Sequence, residues 1–135
     1  MRAWSHGRTR ILLLLVRHMV LIIDDDEEVR EAVRDLVGMK GYRVEEARDG
    51  EQALALLERA EVPCIILLDL VMPVMDGWQF LERLRASARL ASVPVVVVSA
   101  HAASHAPVGA SGLLLKPFEA RELLRAIADK CGPPG

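Results

Sequence analysis

The chain has 135 residues, of which 52% are hydrophobic and 27% charged, and its net charge is -2. This length suits one domain with a single core, and the composition excludes a disordered chain. Basic residues are neither in excess nor clustered, which argues against direct nucleic-acid binding.

The first segment carries Arg2, Arg8 and Arg10 ahead of the apolar run from Ile11 to Val16. Basic residues before an apolar core imitate a secretory signal, but this core stops at Arg17 and His18, and no small-residue cleavage site follows. It is also too short to cross a membrane, so no membrane partner is expected. Residues 1–18 therefore read as a non-essential N-terminal extension, with Met19 as an alternative start. Residues 19–131 read as one domain and residues 132–135 as a tail. Cys64 and Cys131 have no partner at metal-ligand spacing. Cys64 lies in an apolar run and reads as a small hydrophobe, and both cysteines suit a reducing cytoplasm, the expected location.

Val20-Leu21-Ile22-Ile23 is short, fully apolar and rich in β-branched residues, the pattern of a strand buried on both faces. It ends abruptly in Asp24-Asp25-Asp26. Val29, Ala32, Val33, Leu36 and Val37 then fall at helical spacing, with acids in the first turn and Gly41 placed to end the helix. Tyr42 to Ala47 predicts a second, less buried strand. Asp49-Gly50 predicts a turn, and Glu51 to Ala60 a helix with Ala53, Leu54 and Leu57 inward. The third strand runs from Cys64 to Leu68 and ends at Asp69. A loop to Gly77 leads into a helix from Trp78 to Ser87, with Leu81 and Leu84 inward. Pro94 to Val98 is a strand ending at Ser99. Leu113-Leu114-Leu115 is the last strand and ends at Lys116-Pro117. Glu119 to Lys130 is the final helix, with Leu123, Leu124 and Ile127 inward. Five apolar strands alternating with helices predict an α/β fold, a doubly wound five-stranded parallel sheet covered on both sides.

In such a sheet ligands bind beyond the carboxyl ends of the strands. Asp24, Asp25, Asp69, Ser99 and Lys116 all fall there. If the strand order is the flavodoxin-like 2-1-3-4-5, the first and third strands are neighbours and their carboxylates converge. Carboxylates in one cleft repel, and a divalent cation relieves the repulsion. Few hard oxygen ligands open to water suit Mg²⁺. Asp69 could then act as a nucleophile toward a phosphoryl group, with Lys116 neutralising charge from the other side. Each residue alone has a plainer reading. Acids open helices, a single Asp or Ser after a strand caps or turns, and a lysine is usually a solvated surface residue.

Taken together, these segments resemble the receiver domain of response regulators in two-component signalling. Ile22-Ile23-Asp24-Asp25-Asp26 is similar to the family's acidic pair. The segment from Leu67 through Asp69, Met72-Pro73 and Asp76-Gly77 resembles its phosphoacceptor loop. Val98-Ser99-Ala100 resembles its switch element, and Leu114-Leu115-Lys116-Pro117-Phe118 its Lys-Pro-Phe signature. The resemblance spans roughly residues 19–130, so residues 19–131 would be the receiver domain. It implies phosphorylation of Asp69 by a histidine kinase or phosphotransfer protein. It also implies Mg²⁺ held by Asp25, Asp69 and the Val71 carbonyl with help from Asp24. Phosphoryl oxygens would be held by Ser99, the Ala100 amide and Lys116, and the Lys116-Pro117 bond would be cis. Output would be contact with a downstream protein, and the domain is not expected to be an enzyme.

Three features depart from the family. Only 14 residues separate Val98 from Leu113, so the helix of the fourth crossover should be short, from Ala100 to Ala106, and stopped by Pro107. Leu113 stands where an aromatic switch residue is frequent. Ser99 replaces the commoner threonine. Val71 stands where aspartyl-phosphate phosphatases commonly carry their general acid, which ranks that activity last. Val71 and His101 occupy positions where the family tunes the lifetime of the phosphoryl group, although His101 and His105 also read simply as exposed loop residues. The shortened crossover opens an alternative: a receiver-like binding module uncoupled from phosphorylation.

Overall fold

The computed structural model describes residues 19–59, 61–100 and 107–133. In chain order these form β1 (Met19–Ile23), α1 (Glu27–Met39), β2 (Arg43–Ala47), α2 (Gly50–Arg59) and β3 (Ile65–Leu68). They continue with α3 (Gly77–Ala86), β4 (Val95–Ser99), β5 (Gly112–Leu115) and α4 (Ala120–Cys131). The strands make one parallel sheet in the order β2-β1-β3-β4-β5, the order expected from the sequence. The segment predicted as the short fourth-crossover helix, with His101 and His105, lies outside the described residues apart from Ala100, as does the N-terminal extension.

Successive strand residues face opposite sides, and the apolar runs therefore feed two cores. On one side Leu21, Ile23, Ile66 and Leu68 meet Leu57 of α2 and Phe80 of α3. On the other, Val20, Ile22, Ile65 and Leu67 meet Val37 of α1 and Leu123 of α4. Burial of β1, β3 and β4 is complete, which is why their sequences do not alternate. β5 departs from expectation. Its residues are only partly buried and Leu115 is 47% exposed, because β5 is an edge strand. Ala32, which shares the helical spacing of Val29, Val33, Leu36 and Val37, is exposed. The buried seam of α1 runs through Val33 and Val37 instead.

The short connection into β5 is held by a side chain. Arg85, in the last turn of α3, donates from Nε to the Gly109 carbonyl at 3.0 Å. Its Nη1 donates to the Ala91 and Val93 carbonyls, both at 2.8 Å. One guanidinium thus ties the segments before β4 and before β5 to α3.

The cysteines need a correction. They are not free small hydrophobes but a disulfide, Cys64–Cys131, with Cα atoms 5.2 Å apart. The fold brings the entry of β3 against the exit of α4, where both residues pack on the same core. The Tyr42 hydroxyl donates to the Gly132 carbonyl at 2.8 Å beside it. Among the described residues, no helix is long and apolar enough to cross a membrane.

Candidate functional site

Backbone hydrogen bonds that run one residue past the strands fix the site. The Asp24 amide donates to Ala47, the Asp69 amide to Ile23 and the Lys116 amide to Ser99, at 3.1, 2.9 and 2.7 Å. Asp24, Asp69, Ser99 and Lys116 therefore share one end of the sheet, with their backbones held by neighbouring strands. Asp24, Asp69 and Ser99 are the buried polar residues among those described, at 4%, 9% and 1% exposure.

The carboxylates of Asp24, Asp25 and Asp69 each offer an oxygen, and these atoms lie within 4.8 Å of one another. Lys116 Nζ stands 3.0 Å from Asp24 Oδ2. The other Asp24 oxygen accepts from the Asp26 amide at 2.9 Å, and Asp69 Oδ1 accepts from the Val71 amide at 3.3 Å. Burial pushes the Asp69 carboxyl above the ordinary aspartate range, and repulsion from Asp24 adds to the shift. The Lys116 ammonium and the Val71 amide pull the other way without cancelling it. The cluster is therefore anion-crowded, which favours a cation or a proton at its centre.

The three acids after β1 divide by role. Asp24 is buried in the site and Asp25 is exposed at its mouth. Asp26 is the helix cap, accepting from the Glu28 and Val29 amides at 3.0 and 3.3 Å. Arg30, not singled out in the sequence, donates to the Asp24 carbonyl at 2.9 Å and to Glu46 of β2 at 3.2 Å. A basic residue four positions past a capping Asp was the available signal.

The loop after Asp69 is built tightly. A Cβ on Gly77 would fall 2.7 Å from the Leu70 Cα and 2.9 Å from the Asp69 carbonyl oxygen, so only glycine lets α3 start against the loop. The Gly77 amide donates to the Leu70 carbonyl at 2.9 Å, and Asp76 and Gln79 close a reciprocal cap on α3. Between them Val74 takes φ of 69°, and the Met75 amide donates to the Pro73 carbonyl at 2.8 Å. That is a γ-turn about a β-branched residue with positive φ, a strained conformation. Val71, Val74 and Trp78 are exposed along this segment. The Lys116-Pro117 bond is cis, as the resemblance implied. Ala100 follows Ser99 at the surface.

Residues 20–128 match the family model for the response regulator receiver domain. The regulator RpaA of Synechocystis, described as a DNA-binding dual master transcriptional regulator, is 35% identical over 113 residues, 80% of this chain and 46% of its own length. The response regulator MprA of Mycolicibacterium vanbaalenii is 36% identical over 122 residues, 84% of this chain and 52% of its own. The chain thus spans about half the length of these curated relatives. Among solved structures, the chemotaxis response regulator CheY4 of Vibrio cholerae superposes with a TM-score of 0.75 at 32% identity, covering 82% of this chain and 96% of that one. The receiver domain of the sensor histidine kinase PA1611 from Pseudomonas aeruginosa, solved with magnesium in its active-site cleft, gives 0.79 at 28% identity, with coverage of 85% and 98%.

Proposed function

Since the chain belongs to the response regulator receiver domain family, we propose that it accepts a phosphoryl group on Asp69 from a histidine kinase or phosphotransfer protein. The carrying observation is the cluster of three carboxylates facing Lys116 at one end of the sheet. With Asp69 Oδ1 accepting from the Val71 amide, Oδ2 remains for attack. It forms the new P–O bond as the phosphohistidine N–P bond breaks, and the imidazole keeps the electron pair and takes up a proton.

Crowded hard oxygen donors fit Mg²⁺. Asp24, Asp25, Asp69 and the Val71 carbonyl would hold it, and the PA1611 receiver was solved with magnesium coordinated in its active-site cleft. When bound, the ion supplies positive charge against the phosphoryl oxygens. Lys116 exchanges Asp24 for a phosphoryl oxygen, and the Ser99 hydroxyl and Ala100 amide bind the others. Drawing Ser99 inward would reshape the adjoining surface, so output runs through contact with a downstream protein, without direct nucleic-acid or membrane contact. The cytoplasm is the proposed location, on the strength of the family and not of the cysteines, whose disulfide removes that argument.

The 14-residue fourth crossover favours a second reading. The site could remain while coupling to output is lost, leaving a constitutive binding module.

Incubation with acetyl phosphate and Mg²⁺, followed by intact mass, tests the first reading. Gain of one phosphoryl group in the wild type but not in Asp69→Ala is the expected result. No gain by a folded wild type would overturn it, and partner binding equal in both proteins would establish the second.

A further inference from the structure

At the opposite end of the sheet from Asp69, Cys64 and Cys131 join the entry of β3 to the exit of α4, 67 residues apart in sequence. Both residues are only half-buried. They form part of the wall of an open groove of about 750 Å³ that Pro63, Ser92, Pro94 and Lys130 also line. A small thiol can therefore approach the sulfurs without unfolding the chain, and accessible disulfides are the readily exchanged ones.

The surroundings also provide for the opened state. Cys64 Sγ lies 3.4 Å from the Met19 carbonyl oxygen, so as a thiol it has an acceptor in place. Leu123 and Ile127, both fully buried, anchor the body of α4 without help from the disulfide. Tyr42 still holds the Gly132 carbonyl. Opening the bond would loosen the last turn of α4 and the approach to β3, which backbone hydrogen bonds and Tyr42 still tether, while the core stays packed.

We propose that Cys64–Cys131 is a reversible thiol–disulfide exchange site, a redox latch on α4 whose substrate is a dithiol. An incoming thiolate attacks one protein sulfur, forming a mixed disulfide as the Cys64–Cys131 bond breaks, and the released cysteine takes up a proton. The second thiolate of the dithiol attacks the mixed disulfide and releases the other cysteine, which is protonated in turn. The protein gains two electrons and two protons, and the dithiol becomes a disulfide. The site is chemically separate from Asp69 and does not depend on the phosphoacceptor reading.

The test is maleimide labelling of the native full chain, read by intact mass, after oxidation with diamide and after dithiothreitol. The oxidised protein should take no label and the reduced, folded protein two. Removal of the dithiol and renewed oxidation should restore zero. Reduction should lower Tm by about 10 °C. It should also speed amide exchange in residues 128–131 and at Val62 and Cys64, with no such change in Cys64→Ser or Cys131→Ser. Two labels on the diamide-treated protein would overturn the proposal. So would thiols that appear only once denaturant is added, or either variant responding to dithiol as the wild type does.

Discussion

The two ends of the sheet are built on opposite terms. Beyond the carboxyl ends of the strands, three carboxylates crowd together and a valine is twisted into a γ-turn. Both features cost stability and both belong to the site. At the amino end the chain is fastened, by a disulfide and by the Tyr42 hydroxyl. The carboxylate crowding lies where a cation or a proton can relieve it, and the opposite end is fastened without touching the chemistry.

This contrast predicts mutations of opposite sign at the two ends. The largest effect is expected from Val74→Gly. Relieving positive φ at a β-branched residue returns about 1–3 kcal/mol, less the greater freedom of glycine in the unfolded chain, for a net gain near 1.5 kcal/mol. Urea unfolding should show a raised midpoint with an unchanged slope; a lowered midpoint would remove strain from the account. Next comes Tyr42→Phe at the fastened end. Losing the bond to Gly132 should cost about 1 kcal/mol, seen as a fall in Tm of about 4 °C. No fall would mean that this hydrogen bond does not help to secure the fastened end.

The smallest effect is expected from Asp69→Asn without divalent cation. Burial holds the Asp69 carboxyl above the ordinary aspartate value of 3.8, so its ionised form is disfavoured by folding. The stability it contributes is complete below that value and is lost as pH rises through the folded pKa. Asp69→Asn should therefore melt higher than the wild type at neutral pH, and the gap should close as pH falls toward 3.8. A gap independent of pH would assign the gain to something other than charge. Mg²⁺ should narrow the neutral-pH gap by raising the melting point of the wild type more than that of the variant.

Much of the site was legible in the sequence because its residues are strand-terminal. Where an apolar run stops at Asp24, Asp69, Ser99 or Lys116, the sheet itself delivers the side chain to one edge, and strand order does the rest. The division of labour among Asp24, Asp25 and Asp26 was legible only through the family resemblance, since three adjacent acids carry the same signal and only the helix start separates the cap from the site. The Cys64–Cys131 pair was hidden because pairing is a property of the closed fold. Nothing local in an apolar strand entry or a helix exit announces it. The twist at Val74 was equally silent, since valine is the wrong residue to advertise positive φ. The partial exposure of β5 was masked by its three leucines, whose pattern describes a buried strand and not its place at the sheet edge.

Arg85 stands where additional polypeptide would otherwise be needed. Its guanidinium reaches carbonyls of Ala91, Val93 and Gly109, groups that a longer connection between Val98 and Leu113 could meet with its own amides. Loop length and the residue at position 85 are then expected to co-vary among relatives. An insertion in the connection would release the arginine to drift, while loss of the arginine would be tolerated only after the insertion. Across relatives, the two characters should change together and in that order.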